Sequence, residues 1–240
     1  MSYAGNPYEA PRFSFAAEAA ESERASFIAK TYLHLAGAVA AFVAIEAVIL
    51  GMFPQVAESI TRTLLGTQFG WLIVLGAFMV VSWIANSWAN SDSSVGMQYM
   101  GLSLYVVAEA IIFVPLLWYA YTLHPNALWE AALATIALFG ALTAFVFVTK
   151  KDFSFLRGIL VVASMGAMLI IVISVITGAF AFWTVFVVGM IALACGYILY
   201  STSNVLHHYR IGQHVAASLA LFAAVALLFW YILQLFMSRD

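Results

Sequence analysis

Residues Tyr197 to Phe236 read YILYSTSNVLHHYRIGQHVAASLALFAAVALLFWYILQLF: the end of an apolar helix, a short loop with three of the five histidines, and a long apolar helix that closes the chain. The closing helix carries Ala216, Ala220 and Ala224 at intervals of four, so one of its faces presents only methyl groups. Helices in lipid associate through close packing rather than a hydrophobic drive, and small side chains let a neighbouring backbone approach. The spacing predicts that this last helix lies inside a bundle, not on its rim.

Of the 240 residues, 65% are hydrophobic and 8% are charged, and the mean hydropathy is +1.02. A soluble domain carries roughly 25% charged residues, so the composition reads as a polytopic membrane protein. Nine basic and eleven acidic residues give a net charge of −2, with no basic block of the kind that binds nucleic acid. The one cysteine, Cys195, lies in an apolar run. It offers no disulfide framework and no thiolate cluster, and reads as a small buried hydrophobe. No glycine-rich phosphate loop, nucleophile elbow or HExxH pattern occurs, and neither an enzyme nor a bound cofactor is expected.

Seven runs are long enough to cross a hydrocarbon core that needs about 20 helical residues. They are Thr31 to Phe53, Gly70 to Trp88, Met97 to Tyr121, Leu128 to Val148, Phe155 to Thr177, Phe180 to Tyr200 and Val215 to Met237. Strands of a membrane barrel would alternate polar and apolar residues, and these runs do not. The expected fold class is all-α: an integral membrane bundle of seven transmembrane helices with the last one central. Residues 1–27 are expected to form a cytoplasmic N-terminal tail, and residues 28–240 the transmembrane domain. The tail holds Pro7, Pro11 and a charged run from Glu18 to Arg24 without an apolar core, which does not fit a signal peptide. Its stretch from Ala16 to Ala25 is expected to be a short helix outside the bilayer.

Basic residues are retained on the cytoplasmic side of a membrane. With the N-terminus inside, the inner segments hold Arg12, Arg24, Lys30, Lys150, Lys151, Arg157 and Arg210, and only Arg62 and Arg239 fall outside. The expected orientation is N-terminus cytoplasmic, C-terminus outside. Trp71, Trp118, Trp129, Trp183 and Trp230 gather at the outer ends, where amphipathic rings prefer the interface.

The run TAFVFVTKKDFSFLRG, Thr143 to Gly158, closely resembles the Bax inhibitor-1 (transmembrane Bax-inhibitor-motif) family. KTYLHLAGA from Lys30, Pro115 in the third run, and ILYSTSNVLHH from Ile198 to His208 are similar to the same family, and the closing Ser238-Arg239-Asp240 resembles its bacterial branch. The likeness extends over residues 25–240. It implies a seven-helix bundle with the last helix central, in the inner membrane of a bacterium. It also implies a pH-sensitive calcium leak, suppression of stress-induced cell death in eukaryotic members, and restraint of a membrane-bound quality-control protease in one bacterial branch. The leak is attributed to two acids, one in an aromatic-Asp-Thr motif at the inner end of the sixth helix and one within Leu-Tyr-Leu-Asp in the seventh. This chain departs from both: Tyr200-Ser201-Thr202 sets Ser201 at the first position, and Leu221-Phe222-Ala223-Ala224 sets Ala224 at the second. Neither side chain binds a proton reversibly near neutral pH, so the acid-pair switch is missing.

Two carboxylates remain within the helices, Glu46 in the outer half of the first and Glu109 near the middle of the third. A charge at such depth costs a few kcal/mol, so each must face the interior, find a donor or be protonated. One reading makes them proton-responsive or cation-binding groups. The other makes them protonated groups bonded to a neighbouring helix through Ser103, Ser174 or Thr177. Pro115 removes a backbone donor and frees the Ile111 carbonyl near Glu109, either as an oxygen-rich cation spot or as a packing kink. His207, His208 and His214 on the inner loop, with His34 near the inner end of the first helix, are candidates for pH sensing. Against that stands a solvated interfacial loop, and no metal site is expected, since zinc needs three or four converging ligands. Lys150, Lys151 and Arg157 set topology and meet anionic headgroups.

Two functional classes follow. In one the protein passes cations, calcium foremost or protons, beside the last helix, with Glu109 or Glu46 replacing the acids at Ser201 and Ala224. In the other it conducts nothing and binds other membrane proteins, such as a protease. The lipid bilayer is the partner common to both.

Overall fold

The computed structural model describes residues 15–67, 69–91, 94–178 and 183–239. Within them the chain forms eight α-helices: α1 Glu21–Met52, α2 Pro54–Leu65, α3 Gly70–Ala89, α4 Val95–Leu123, α5 Pro125–Thr149, α6 Leu156–Thr177, α7 Trp183–His207 and α8 His214–Met237. All but α2 are long and apolar enough to cross a membrane. Long apolar helices satisfy their own backbone groups, which lipid cannot do. The chain is a multi-pass membrane protein with a seven-helix all-α bundle.

Local signals set the helix ends. Pro54 and Pro125 open α2 and α5, where a missing N–H costs nothing. The Ser94 hydroxyl accepts from the Met97 N–H at 3.3 Å and caps α4. Gly178 ends α6 in the left-handed region, φ 68, which suits a residue without a Cβ.

The last helix is the centre of the bundle, as its alanine spacing predicts. It packs against α7, α1, α5, α4 and α3, and 67% of its most apolar stretch is buried against 11% for α3 and for α6. Its only rival is α4. On α1 the buried residues Phe27, Thr31, Leu35, Ala38, Phe42, Glu46 and Leu50 form one stripe, the three-to-four spacing of a single helical face. Phe42 meets Phe113 of α4 edge-on, with ring centres 5.0 Å apart. Gly101 lets α4 press on α3, since a Cβ there would lie 2.5 Å from the Ala85 carbonyl oxygen.

Four expectations change. A short helix, α2, stands between the first and second spans. Residues 21–25 belong to the continuous α1, and among the described residues of the stretch from Ala16 to Ala25 no separate helix forms. Helix α7 runs on to His207, so Ser201 lies within a helix rather than at its end, and His207 and His214 belong to helix ends rather than to the loop. Pro7, Pro11, Arg12, Phe180 and Asp240 lie outside the described residues.

Candidate functional site

Beside α8 lies a cavity of about 970 Å³. Small side chains on the central helix leave the room for it: Ala220, Ala223 and Ala224 line one wall, opposite Phe78 of α3 and Ile171 of α6. The alanine face therefore does two jobs, since Ala216 and Ala224 are buried while Ala220 and Ala224 border open space. Helix α2 supplies Thr61 and Leu65 at one end of the cavity, where Trp71 stacks on Trp230 with centres 5.8 Å apart.

Three of the sequence candidates converge here: Glu109, Ser201 and Ala224 all line the cavity. Among the described residues Glu109 is its one carboxylate, 7% exposed, and no lysine, arginine or histidine joins the lining. Its polar neighbour is Tyr105, one turn earlier, whose hydroxyl lies beside the carboxyl and also near Ser82. The expected cross-helix partners Ser103, Ser174 and Thr177 are not brought to it: Ser103 borders a smaller groove with His34, and the Thr177 hydroxyl donates to the Ile173 carbonyl at 2.8 Å. Pro115 lines the cavity with Glu109, whereas the Ile111 side chain is exposed on another face.

Glu46 stands apart, in the core-facing stripe of α1, 4% exposed. Both its oxygens are buried without a hydrogen-bond partner. Tyr32 of α1 is also placed unusually: its hydroxyl faces Thr143 of α5 and Thr202 of α7, and all three oxygens are buried without a bond of standard geometry.

The histidines separate into two pairs. His34 Nδ1 lies 2.6 Å from the Lys30 carbonyl oxygen. A carbonyl only accepts, so that nitrogen carries a proton, and in the neutral ring Nε2 accepts from the Tyr99 hydroxyl at 2.7 Å. The His214 ring is 4.8 Å away. The other pair is His207 and His208, ring centres 6.2 Å apart; His207 Nε2 is buried without a hydrogen-bond partner, while His208 Nε2 meets Asp152 Oδ2 at 3.0 Å. No group of three or more metal-ligating side chains forms among the described residues.

Asp152 belongs to a latch between the α5–α6 loop and α7. The fully buried Ser203 hydroxyl accepts from the Phe153 N–H at 2.8 Å, and the Ser154 N–H donates to Asp152 Oδ1 at 2.8 Å. That backbone N–H holds the Asp152 carboxyl below its ordinary value, with a smaller contribution from His208. The N-terminal segment is tied to the loop after α7: the Ala16 N–H donates to the Tyr209 carbonyl at 2.9 Å, and Arg210 sits 5.9 Å from the Phe15 ring centre. Burial pushes the Tyr209 hydroxyl up to about 12.

Sequence reasoning missed Tyr105, Tyr99, Asp152 and Ser203. The four-residue interval from Tyr105 to Glu109 is legible, since such pairs share a helical face. The Ser203 latch spans some fifty residues of chain and leaves no local signal.

A family model described as Bax1-I, inhibitor of apoptosis-promoting Bax1, matches residues 24–240. Among curated proteins the chain is 38% identical over 107 residues to "Bax inhibitor 1" of Schizosaccharomyces pombe, which covers 44% of this chain and 40% of that protein. It is 33% identical over 118 residues to "BI1-like protein" of Arabidopsis thaliana, covering 46% of this chain and 45% of that one. The chain thus spans less than half the length of the curated relatives it matches.

Proposed function

The chain belongs to the Bax inhibitor-1 family, and from that membership we propose a passive cation leak, calcium foremost, along the cavity beside α8. The reading is carried by the convergence of Glu109, Ser201 and Ala224 on that one cavity. A carboxylate is the group a hard cation prefers, and Glu109 is the only one in the lining among the described residues. Between the polar ends the walls are apolar, with Ile112, Phe113, Leu227 and Val175; such a stretch holds little water and keeps flux slow. With serine and alanine where the family's acids stand, acid gating falls to other groups, of which the Asp152–His208 pair and the His34–His214 pair are the candidates. The protein works without catalysis and without a bound cofactor, in the inner membrane of a bacterium, N-terminus inside and C-terminus outside.

The apolar walls also favour a second reading, in which the protein conducts nothing and regulates a membrane-bound partner such as a quality-control protease. Calcium entry into liposomes containing the purified protein, followed between about pH 5 and 8 where imidazole titrates, separates the two. Entry above that of protein-free liposomes supports the leak. Equal entry at every pH rejects it and leaves the regulator.

A further inference from the structure

A chain of packed helices walls the cavity and leaves one gap between neighbours in that wall. Helix α3 packs on α4, α4 on α8, α8 on α7 and α7 on α6, and α2 covers one end with Thr61 and Leu65. Helix α6, however, has α7 as its packing partner and is not joined to α3 to a comparable extent. Leu75 and Phe78 of α3 and Ile171 and Val175 of α6 line the cavity from the two sides of this gap. On the outward sides of these two helices, Ile73 on α3 and Ile170 and Ile173 on α6 are exposed. In a spanning helix those are surfaces that hydrocarbon covers, so the opening faces lipid.

The dimensions suit one chain of a bilayer lipid. On α8 the lining runs from Ala220 to Gln234, about 21 Å at 1.5 Å per residue, which exceeds the ~15 Å of one leaflet in a ~30 Å core. The middle is apolar, while Thr61, Tyr119, Thr122 and Gln234 gather at the α2 end, where the Gln234 amide oxygen is buried without a hydrogen-bond partner. Charge narrows the ligand further. Among the described residues the lining holds no cation to meet an anionic head or a fatty-acid carboxylate, and its single carboxylic acid is Glu109; an unpaired charge drawn into such a site is strongly disfavoured.

We propose that this cavity is a binding site for one acyl chain of a zwitterionic phospholipid. The chain enters between α3 and α6, lies along the alanines of α8, and leaves the polar part of the lipid at the α2 end. The site does not depend on conduction: a chain bound there would obstruct ions if they pass, and would bind equally if they do not.

The test uses the full-length protein in phosphatidylcholine vesicles doped with phosphatidylcholine that carries a diazirine on one acyl chain. After irradiation, labelled residues are mapped by mass spectrometry. Inward-facing Phe78 and Leu227 should be labelled along with lipid-facing Ile73 and Ile173. Filling the cavity with Ala220→Phe and Ala223→Phe together should lower the inward label about tenfold relative to the lipid-facing label. Ala223→Leu, a smaller filler, should lower it in the same direction and serves if the double variant does not fold. Label confined to Ile73 and Ile173 in the wild type, or inward label unchanged in the filled variants, overturns the proposal. Because calcium is not read, failure of the leak leaves this result standing.

Discussion

Glu46 lies in the apolar stripe of α1 between Phe42 and Leu50, with neither carboxyl oxygen hydrogen-bonded. Leaving a buried polar group unsatisfied costs about 1–3 kcal/mol, so Glu46→Met should raise the thermal midpoint of the purified protein by a few degrees, and Glu46→Gln, which keeps buried polar atoms, should not. A lower midpoint for the methionine variant would mean that the carboxyl has a partner the geometry does not reveal. Ser203 poses the opposite case. Its hydroxyl is the acceptor for the Phe153 N–H, and Ser203→Ala should cost about 1–3 kcal/mol, read in the same melting experiment. The Asp152 contribution to that latch has a sign. A carboxyl held below its ordinary value stabilises the fold fully above the usual aspartate range of about 4, and the contribution is lost as pH falls through the lowered value. The stability difference between wild type and Asp152→Asn should therefore shrink in acid. Ser201 and Ala224 border the same cavity, so Ser201→Asp combined with Ala224→Asp should add an acid-sensitive component to calcium flux. Two carboxyls facing one another share a proton, and one of their pKa values rises; either change alone leaves an unpartnered acid. Identical flux profiles for wild type and double variant would show that a carboxyl pair at these two positions does not set the pH response.

At the scale of elements, the seven spans were legible because each is a long apolar run, and length alone decides such helices in lipid. The central position of α8 is legible in Ala216, Ala220 and Ala224, because small side chains at four-residue intervals serve close approach. The ends were less legible. Helix α7 continues through Ser201, Thr202 and Ser203, polar residues that read as a loop until their tertiary partners are known. Helix α2 is too short to span, and its one strong local signal is Pro54 at the first position. The α3–α4 contact was missed although Ala85, Ala89 and Gly101 are all small, since nothing local says which small residues meet. A methyl at Gly101 would lie 2.5 Å from the Ala85 carbonyl oxygen and 2.6 Å from the Ala89 nitrogen. Backbone atoms in two packed helices yield little, so Gly101→Ala should lose about 1–3 kcal/mol, seen as a reduced melting temperature. An unchanged melting temperature would show that the two helices can separate without cost.

For the whole molecule, the site was half legible. Glu109, Ser201 and Ala224 stand out in the sequence separately, from burial cost and from resemblance, and the bundle brings them to one cavity. Glu46 stands out on the same grounds as Glu109 but lies in a packed stripe instead, because helical phase and not depth decides which wall a side chain reaches. The histidines were expected as one cluster and form two pairs, because His34 pairs with His214 at the start of α8 while His208 reaches the α5–α6 loop. The most direct measurement of the proposed leak is calcium flux into liposomes for the wild type against Glu109→Gln, with folding checked by helical content and melting. The amide keeps the size of the side chain and its hydrogen-bonding capacity but cannot ionise. A cavity in which Glu109 handles the cation predicts a flux about tenfold lower, a loss of ~1.4 kcal/mol, in a protein that melts as before. Flux equal to wild type in the folded variant would contradict it.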